Sequence, residues 1–168
     1  LLYNLSLFTV VCILFSSCVK KKEVITKIPI NYIVVLDLSD RILVPGQLIK
    51  DFHLIEQYFT AFEKKARQNL VLNSKDRFSV KIIPQNSSPL NVEHYEDLLQ
   101  VHLDEIEIKD KHKALNTIAQ SLHKVLENLE KDAVYSPTSK AYFGVDIWAY
   151  MHDNGNSLSK AGFKNTVL

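Results

Sequence analysis

The chain alternates short, β-branched apolar runs with longer segments of helical period. Tyr32 to Leu36 form a continuous apolar run rich in β-branched residues, the pattern of a central strand covered on both faces. Asp37 closes that run, where a buried strand emerges at the edge of its sheet. Pro45 and Gly46 punctuate the loop that follows. From Leu48 the period lengthens. Leu48, Phe52, Ile55, Phe59, Phe62 and Ala66 recur at spacings of three and four, which predicts a helix of about five turns. Lys64, Lys65 and Arg67 near its end suit the negative pole of the helix dipole.

Asn73 to Lys75 interrupt the period, and Phe78 to Ile83 predict a second strand stopped by Pro84. Residues 85–91 are a loop of Pro, Ser and Asn. Leu98 to Ile108 reads as a strand on the strength of Leu103, Ile106 and Ile108. Leu115, Ile118, Ala119, Leu122, Val125, Leu126 and Leu129 then mark an amphipathic helix. A loop at Ser136 to Ser139 precedes another helical stretch, from about Lys140 to Met151, which Asp153 to Asn156 break. Asn165 to Leu168 read as the beginning of a further strand. Strand, helix, strand, helix, helix, strand is an α/β pattern with a mainly parallel sheet. Ligands of such sheets bind beyond the carboxyl ends of the strands, and Asp37, Ser39 and Asp40 lie at such an end. There are no internal repeats.

The first 19 residues contain no charged side chain, and Ser16-Ser17-Cys18 is followed at once by Val19 and Lys20 to Lys22. An apolar run closed by two small residues and a cysteine resembles a bacterial lipoprotein signal peptide with its lipobox, although Phe15 stands where Leu is usual. The resemblance implies that residues 1–17 are removed, that Cys18 carries a covalent lipid as the first mature residue, and that 18–30 form a tether. No initiating Met and no basic segment precede the run, so the first residues of the gene product are expected to be missing. The alternative is a retained transmembrane helix, which needs ~20 apolar residues and would use Lys20 to Lys22 as its positive flank. Ser-Ser-Cys favours the lipoprotein, because a peptidase requires small residues there and a spanning helix does not. In either case the rest of the chain is tethered to a membrane, and the expected location is the bacterial cell envelope, facing the periplasm or the exterior.

About 150 residues follow the leader, the size of one ordinary domain. Their charges, 20 basic and 19 acidic, nearly cancel, so no strong field draws this chain to nucleic acid. Lys20 to Lys22 form the one basic cluster and suit lipid headgroups, at ~1 kcal/mol per charge near an anionic surface. Cys12 lies in the leader and Cys18 at its end, so the mature domain has neither an internal disulfide nor a cysteine-based zinc site.

A buried strand ending Val-Val-Leu-Asp37-Leu-Ser39-Asp40-Arg41, followed by a loop and a long helix, resembles the start of a von Willebrand factor A domain. That resemblance covers most of residues 31–168. It implies a doubly wound α/β fold with helices on both faces, incomplete at the carboxyl end of this chain. It also implies a divalent cation, Mg²⁺, in a metal-ion-dependent adhesion site whose first motif is Asp-x-Ser-x-Ser. Asp37 and Ser39 match that motif, and Arg41 stands at its second serine. Thr138, with Ser136 and Ser139 beside it, corresponds to the family's threonine. The family's later aspartate follows a strand that is only beginning at Leu168. Mg²⁺ takes hard oxygen ligands and keeps several waters, so Asp37, Ser39 and Thr138 are the candidate metal ligands. Arg41 argues the other way, since a guanidinium cannot ligate and repels the ion. Asp37 and Ser39 also suit an ordinary strand-end turn. Ser-Pro-Thr-Ser is an ordinary cap for the helix after it, and that reading is the stronger one for Thr138.

The six histidines show no metal-ligand spacing and read as surface or half-buried residues. Trp148, Tyr150 and Met151 read as core and groove packing. Asp146 sits among apolar neighbours without an evident role. The function that follows from these resemblances is a membrane-anchored binding or scaffolding module with a protein partner, not an enzyme. The competing reading is a haloacid-dehalogenase-like phosphatase with Asp37 as nucleophile. Ser39 stands where that family places its second aspartate.

A lipidated Cys18 makes a direct prediction. Cys18→Ala should leave an uncleaved precursor and abolish metabolic lipid labelling in a bacterial host. Undiminished labelling of that variant would refute the lipoprotein reading.

Overall fold

The computed structural model describes residues 27–38, 42, 44–68, 70–85, 88–133 and 147–168. Cys18, Ser39, Asp40, Arg41, Thr138 and Asp146 lie outside the described residues. The fold class is α/β, built on a mixed four-stranded sheet. Strand β1 (Ile30–Asp37) pairs in parallel with β2 (Arg77–Ile83) on one side and with β4 (Lys164–Val167) on the other. A three-residue strand β3 (Gln100–His102) runs antiparallel along the outer side of β2, giving the order β3-β2-β1-β4. The expected parallel sheet therefore holds for β2, β1 and β4 but not for β3. The link from β2 to β3, residues 84–99, is long enough for a parallel crossover, but the chain returns along β2 in the opposite direction.

Among the described residues four α-helices accompany the sheet: α1 (Gln47–Gln68), α2 (Val92–Leu98), α3 (Lys111–Ala133) and α4 (Ile147–Asn154). The expected strand at Leu98–Ile108 shrinks to Gln100–His102, and a helix precedes it at Val92–Leu98, in a stretch for which the sequence predicted no element before Leu98. Asn91 starts α2 by accepting the His94 N–H on its side chain, a cap that satisfies an otherwise unpaired donor. On α3 the expected apolar face is buried except at Ala119, which faces solvent.

The core lies on one face of the sheet. Even-numbered side chains of β1 and β2, Val34, Leu36, Phe78, Val80 and Ile82, pack against the apolar stripes of α1 and α3. At its centre is an aromatic cluster. Phe59 meets Phe78 edge to face at 5.2 Å between ring centroids, and Phe62 lies 5.6 Å from Phe78 and 5.9 Å from Tyr32. The exposed side of the Tyr32 ring takes the Lys65 ammonium 5.7 Å from its centroid.

The opposite face is mixed. Ile33 is buried there, but its neighbours across β2 and β3 are Arg77, Ser79, Lys81, Gln100 and His102. The turn after α4 crosses this face and buries Leu158, while Asn31 donates to the Leu158 carbonyl and to Asn165 Oδ1, at 3.4 and 3.0 Å. The outer side of β2 beyond β3 is closed by α2. Glu96 accepts the Ile82 N–H at 2.9 Å and the Lys81 ammonium at 2.5 Å, so a side chain satisfies a strand edge that β3 does not reach. Tyr95 fastens α2 to α3 by donating to the Asp132 carboxylate, and burial together with that carboxylate pushes its phenol up to about 12.

The amino-terminal edge is latched by Asp76. Its carboxylate accepts the Ile30 N–H at 2.7 Å and the Ser74 hydroxyl at 3.0 Å, and buried Lys111 donates to the Ser74 carbonyl at 2.7 Å. Trp148, expected in the core, is 85% exposed on α4, and that helix buries none of its residues. No helix among the described residues is long and apolar enough to cross a membrane.

Phe59 is 3% exposed and touches both Phe62 and Phe78. Phe59→Ala should cost ~3–5 kcal/mol, a large share of the ~5–15 kcal/mol that holds a domain together. Chemical denaturation measures this as a lowered midpoint. An unmoved midpoint would show that the ring is not part of the core.

Candidate functional site

The carboxyl edge of the parallel strands is the first place to look for a site. Asp37 ends β1 there, partly buried, in register with Ile83 of β2. Leu38, which follows it, is buried and donates its N–H to the Ile83 carbonyl at 3.0 Å, so the chain is still held as it leaves the sheet. It re-enters at a tight turn in which the Gln47 N–H reaches the Val44 carbonyl at 3.0 Å. Pro45 and Gly46 occupy the two central positions, and Gly46 has φ +72°. Proline followed by a residue of positive φ is the signature of a type II turn, and a side chain at the second position would be strained.

α1 begins at this turn, so its first residues stand at the same edge. Asp51 is among them, buried, and accepts from Gln47 Nε2 at 2.9 Å. The sequence carried a signal for it: an acidic residue on the apolar stripe between Leu48 and Phe52. Of the three candidate metal ligands, only Asp37 is described, and Ser39 and Thr138 lie outside the described residues. Among the described residues no group of three His, Cys, Asp or Glu side chains is arranged to hold a metal.

A second polar site, with no signal along the chain, lies on the mixed face. Arg77 opens β2 and pairs across the ladder with His102 of β3. Its Nη2 donates to His102 Nδ1 at 2.6 Å and to Glu105 Oε1 at 2.8 Å, and its Nε lies 3.3 Å from Asp104 Oδ1. The last pair attracts by charge without the alignment of a hydrogen bond. Lys160, in the turn after α4, reaches Glu105 at 3.3 Å. Two cations and two carboxylates thus tie β2, the turn after β3 and the turn after α4 around a half-buried histidine. Arg77 can serve all three partners because its planar fork offers several donors.

Nδ1 of His102 accepts from Arg77, so the neutral ring carries its proton on Nε2. Burial and the adjacent guanidinium hold His102 below its ordinary value, outweighing Glu105, whose carboxylate lies 3.4 Å from Nδ1. No described hydroxyl bonds to His102, so the cluster lacks the nucleophile–base contact that acyl transfer uses. The other described histidines are exposed, as their spacing suggested. Two of them, His53 and His123, share the Glu56 carboxylate between α1 and α3, at 3.2 and 2.8 Å.

Comparison with protein-family models, with curated proteins and with solved structures returns no match. Function must therefore be argued from the two sites themselves.

His102 makes a pH prediction. Because its folded-state pKa is depressed, folding stability should be unaffected above the unfolded value of ~6.5 and should fall as pH drops below it, where the unfolded chain binds the proton first. Ring resonances of His102 followed by NMR should titrate below the free-histidine value, and Arg77→Gln should move that titration upward. A titration unchanged in Arg77→Gln would show that the guanidinium does not act on the ring.

Proposed function

We propose that the chain is a membrane-anchored, von Willebrand A-like binding or scaffolding module that engages a protein partner at the carboxyl edge of its sheet. The lipid on Cys18 tethers it to the bacterial cell envelope. The observation that carries the reading is the position of Asp37 in the strand order β3-β2-β1-β4. That order matches the opening of the doubly wound series 3-2-1-4-5-6 except that β3 runs antiparallel; in that series ligands bind where the order reverses, outside the carboxyl ends of the strands. The reversal falls between β1 and β4, and Asp37 ends β1. The helix-covered core face supports the same topology, whereas the other face is crossed by a turn where the resemblance implies helices.

Asp37 offers one hard oxygen ligand of the kind Mg²⁺ takes, and Ser39 and Thr138 would add hydroxyls by resemblance. Bound there, the cation would supply an open position for a carboxylate of the partner. Arg41 replaces a ligand hydroxyl of the motif. Like charges ~4 Å apart repel by ~4 kcal/mol near a protein surface, as much as the whole of a millimolar affinity. The metal is therefore held weakly, and binding rather than hydrolysis is the role of the edge.

Calorimetry with MgCl₂ on the full chain tests this. The parent should give no saturable heat at millimolar Mg²⁺. Arg41→Ser should bind in the millimolar range, and adding Asp37→Ala should remove that binding. Mg²⁺-dependent hydrolysis of p-nitrophenyl phosphate by the parent, lost in Asp37→Ala, would instead establish the phosphatase reading.

A further inference from the structure

Strand β3 is one of the two edge strands of the described sheet, and a groove of about 650 Å³ runs between its free side and α3. The hydrogen bonds of β3 define which of its backbone groups face that groove. Val80 N–H donates to the Leu99 carbonyl and Leu103 N–H to the Asp76 carbonyl. These bonds bracket Val101, which is in register with Phe78, so Val101 turns its own peptide groups inward. In an antiparallel ladder the flanking residues turn theirs outward. The N–H and C=O of Gln100 and the N–H of His102 therefore point away from β2. The carbonyl of His102 is already taken by the Glu105 N–H.

The floor of the groove is apolar: Val101 and Ile118 are buried, and Ile106 and Ala114 pack partly buried against the core. Its rim is acidic. Asp97 before β3 and Asp110 before α3 stand on it, and neither makes an ion pair among the described residues. Glu105, also on the rim, is neutralised by Arg77 and Lys160, and Lys113 is the one lysine lining the groove among the described residues.

We propose that this edge receives an extended segment of a partner protein as an added strand beside β3, one that alternates apolar with basic residues. Strand addition draws affinity from main-chain hydrogen bonds and specificity from alternate side chains. Gln100 and His102 supply the main-chain groups. The apolar row of the incoming strand covers Val101, Ile106, Ala114 and Ile118, and its basic residues meet Asp97 and Asp110. An acidic rim selects basic over acidic strands. The site is separate from the carboxyl edge at Asp37 and stands whether or not that edge binds anything.

NMR titration of the ¹⁵N-labelled full chain with the peptide Lys-Val-Lys-Val-Lys-Val tests the proposal. Its acidic counterpart, with Glu in place of Lys, serves as the control. The basic peptide should shift the amides of Gln100 and His102 most, saturably, and the acidic peptide should not. His102→Pro removes the outward N–H at a position where an edge strand tolerates proline. It should bind about tenfold more weakly than His102→Val, which loses the same imidazole but keeps the N–H. Asp97→Asn with Asp110→Asn should weaken the basic peptide severalfold. Equal binding by the Pro and Val variants, equal binding of both peptides, or shifts centred away from β3 would each overturn the proposal. If His102→Pro does not fold, the site of the amide shifts in the parent decides.

Discussion

The structure depends on the burial of one face of β1 and β2 beneath α1 and α3. Four aromatic rings, Tyr32, Phe59, Phe62 and Phe78, meet within 6 Å of one another in successive pairs. They belong to a strand, a helix and a second strand that are consecutive in the chain. Edge-to-face contact adds to the area that large rings remove from water. That cluster sets which residues of β1 face inward, and a strand's alternation then sets all the others. A one-residue slip would turn Asn31, Ile33 and Val35 toward the helices and expose the core. Which face Asp37 presents at the carboxyl end of β1 therefore follows from Tyr32 being anchored under Phe62.

The other face obeys a different rule. Apart from Ile83, its residues on β2 and β3 are polar or charged, so it is held mainly by polar and charged pairs rather than by a second apolar core. Asn31 and Asn165 bond to each other and to the turn that crosses them. Asn165 accepts the Lys160 N–H at 2.9 Å and donates to the Lys160 carbonyl at 3.2 Å. Arg77 closes the same turn through Glu105 and Lys160. A buried charge is tolerable only when it is paired and bonded, and Arg77 has two hydrogen-bond acceptors, His102 and Glu105, with the Asp104 charge beside its Nε. The two faces thus differ in kind: one is set by volume, the other by hydrogen-bond geometry.

This division explains what could be read from the sequence. Long segments with a clean period were legible, because β1, α1, β2 and α3 each bury one continuous apolar stripe. Even β4 announced itself in four residues. Short elements were not. α2 has only seven residues, and its signal was a cap at Asn91 that looks like any loop asparagine. β3 is set by its pairing with β2 rather than by its own three residues. Trp148 was misjudged because aromatic content says nothing about whether a neighbouring surface exists to cover it. At the candidate site, Asp37 was legible as the end of a buried run. The cluster of Arg77, His102 and Glu105 was not, since it joins positions up to 28 residues apart whose proximity only the β2–β3 ladder creates. Asp51 was legible in principle, as an acidic residue on an apolar stripe, but the apolar period alone does not single it out.

The central functional claim is that the carboxyl edge of the sheet, and not its amino edge, meets the partner. A photo-crosslinking residue placed singly at Val44 or at Leu72 separates the two edges. Both positions are exposed, the first beside the turn after β1 and the second in the 3₁₀ turn before β2. In intact cells the probe at 44 should capture a protein, the capture should vanish with Asp37→Ala, and the probe at 72 should capture nothing. Capture from 72 with none from 44, or capture from 44 indifferent to Asp37, would contradict the account.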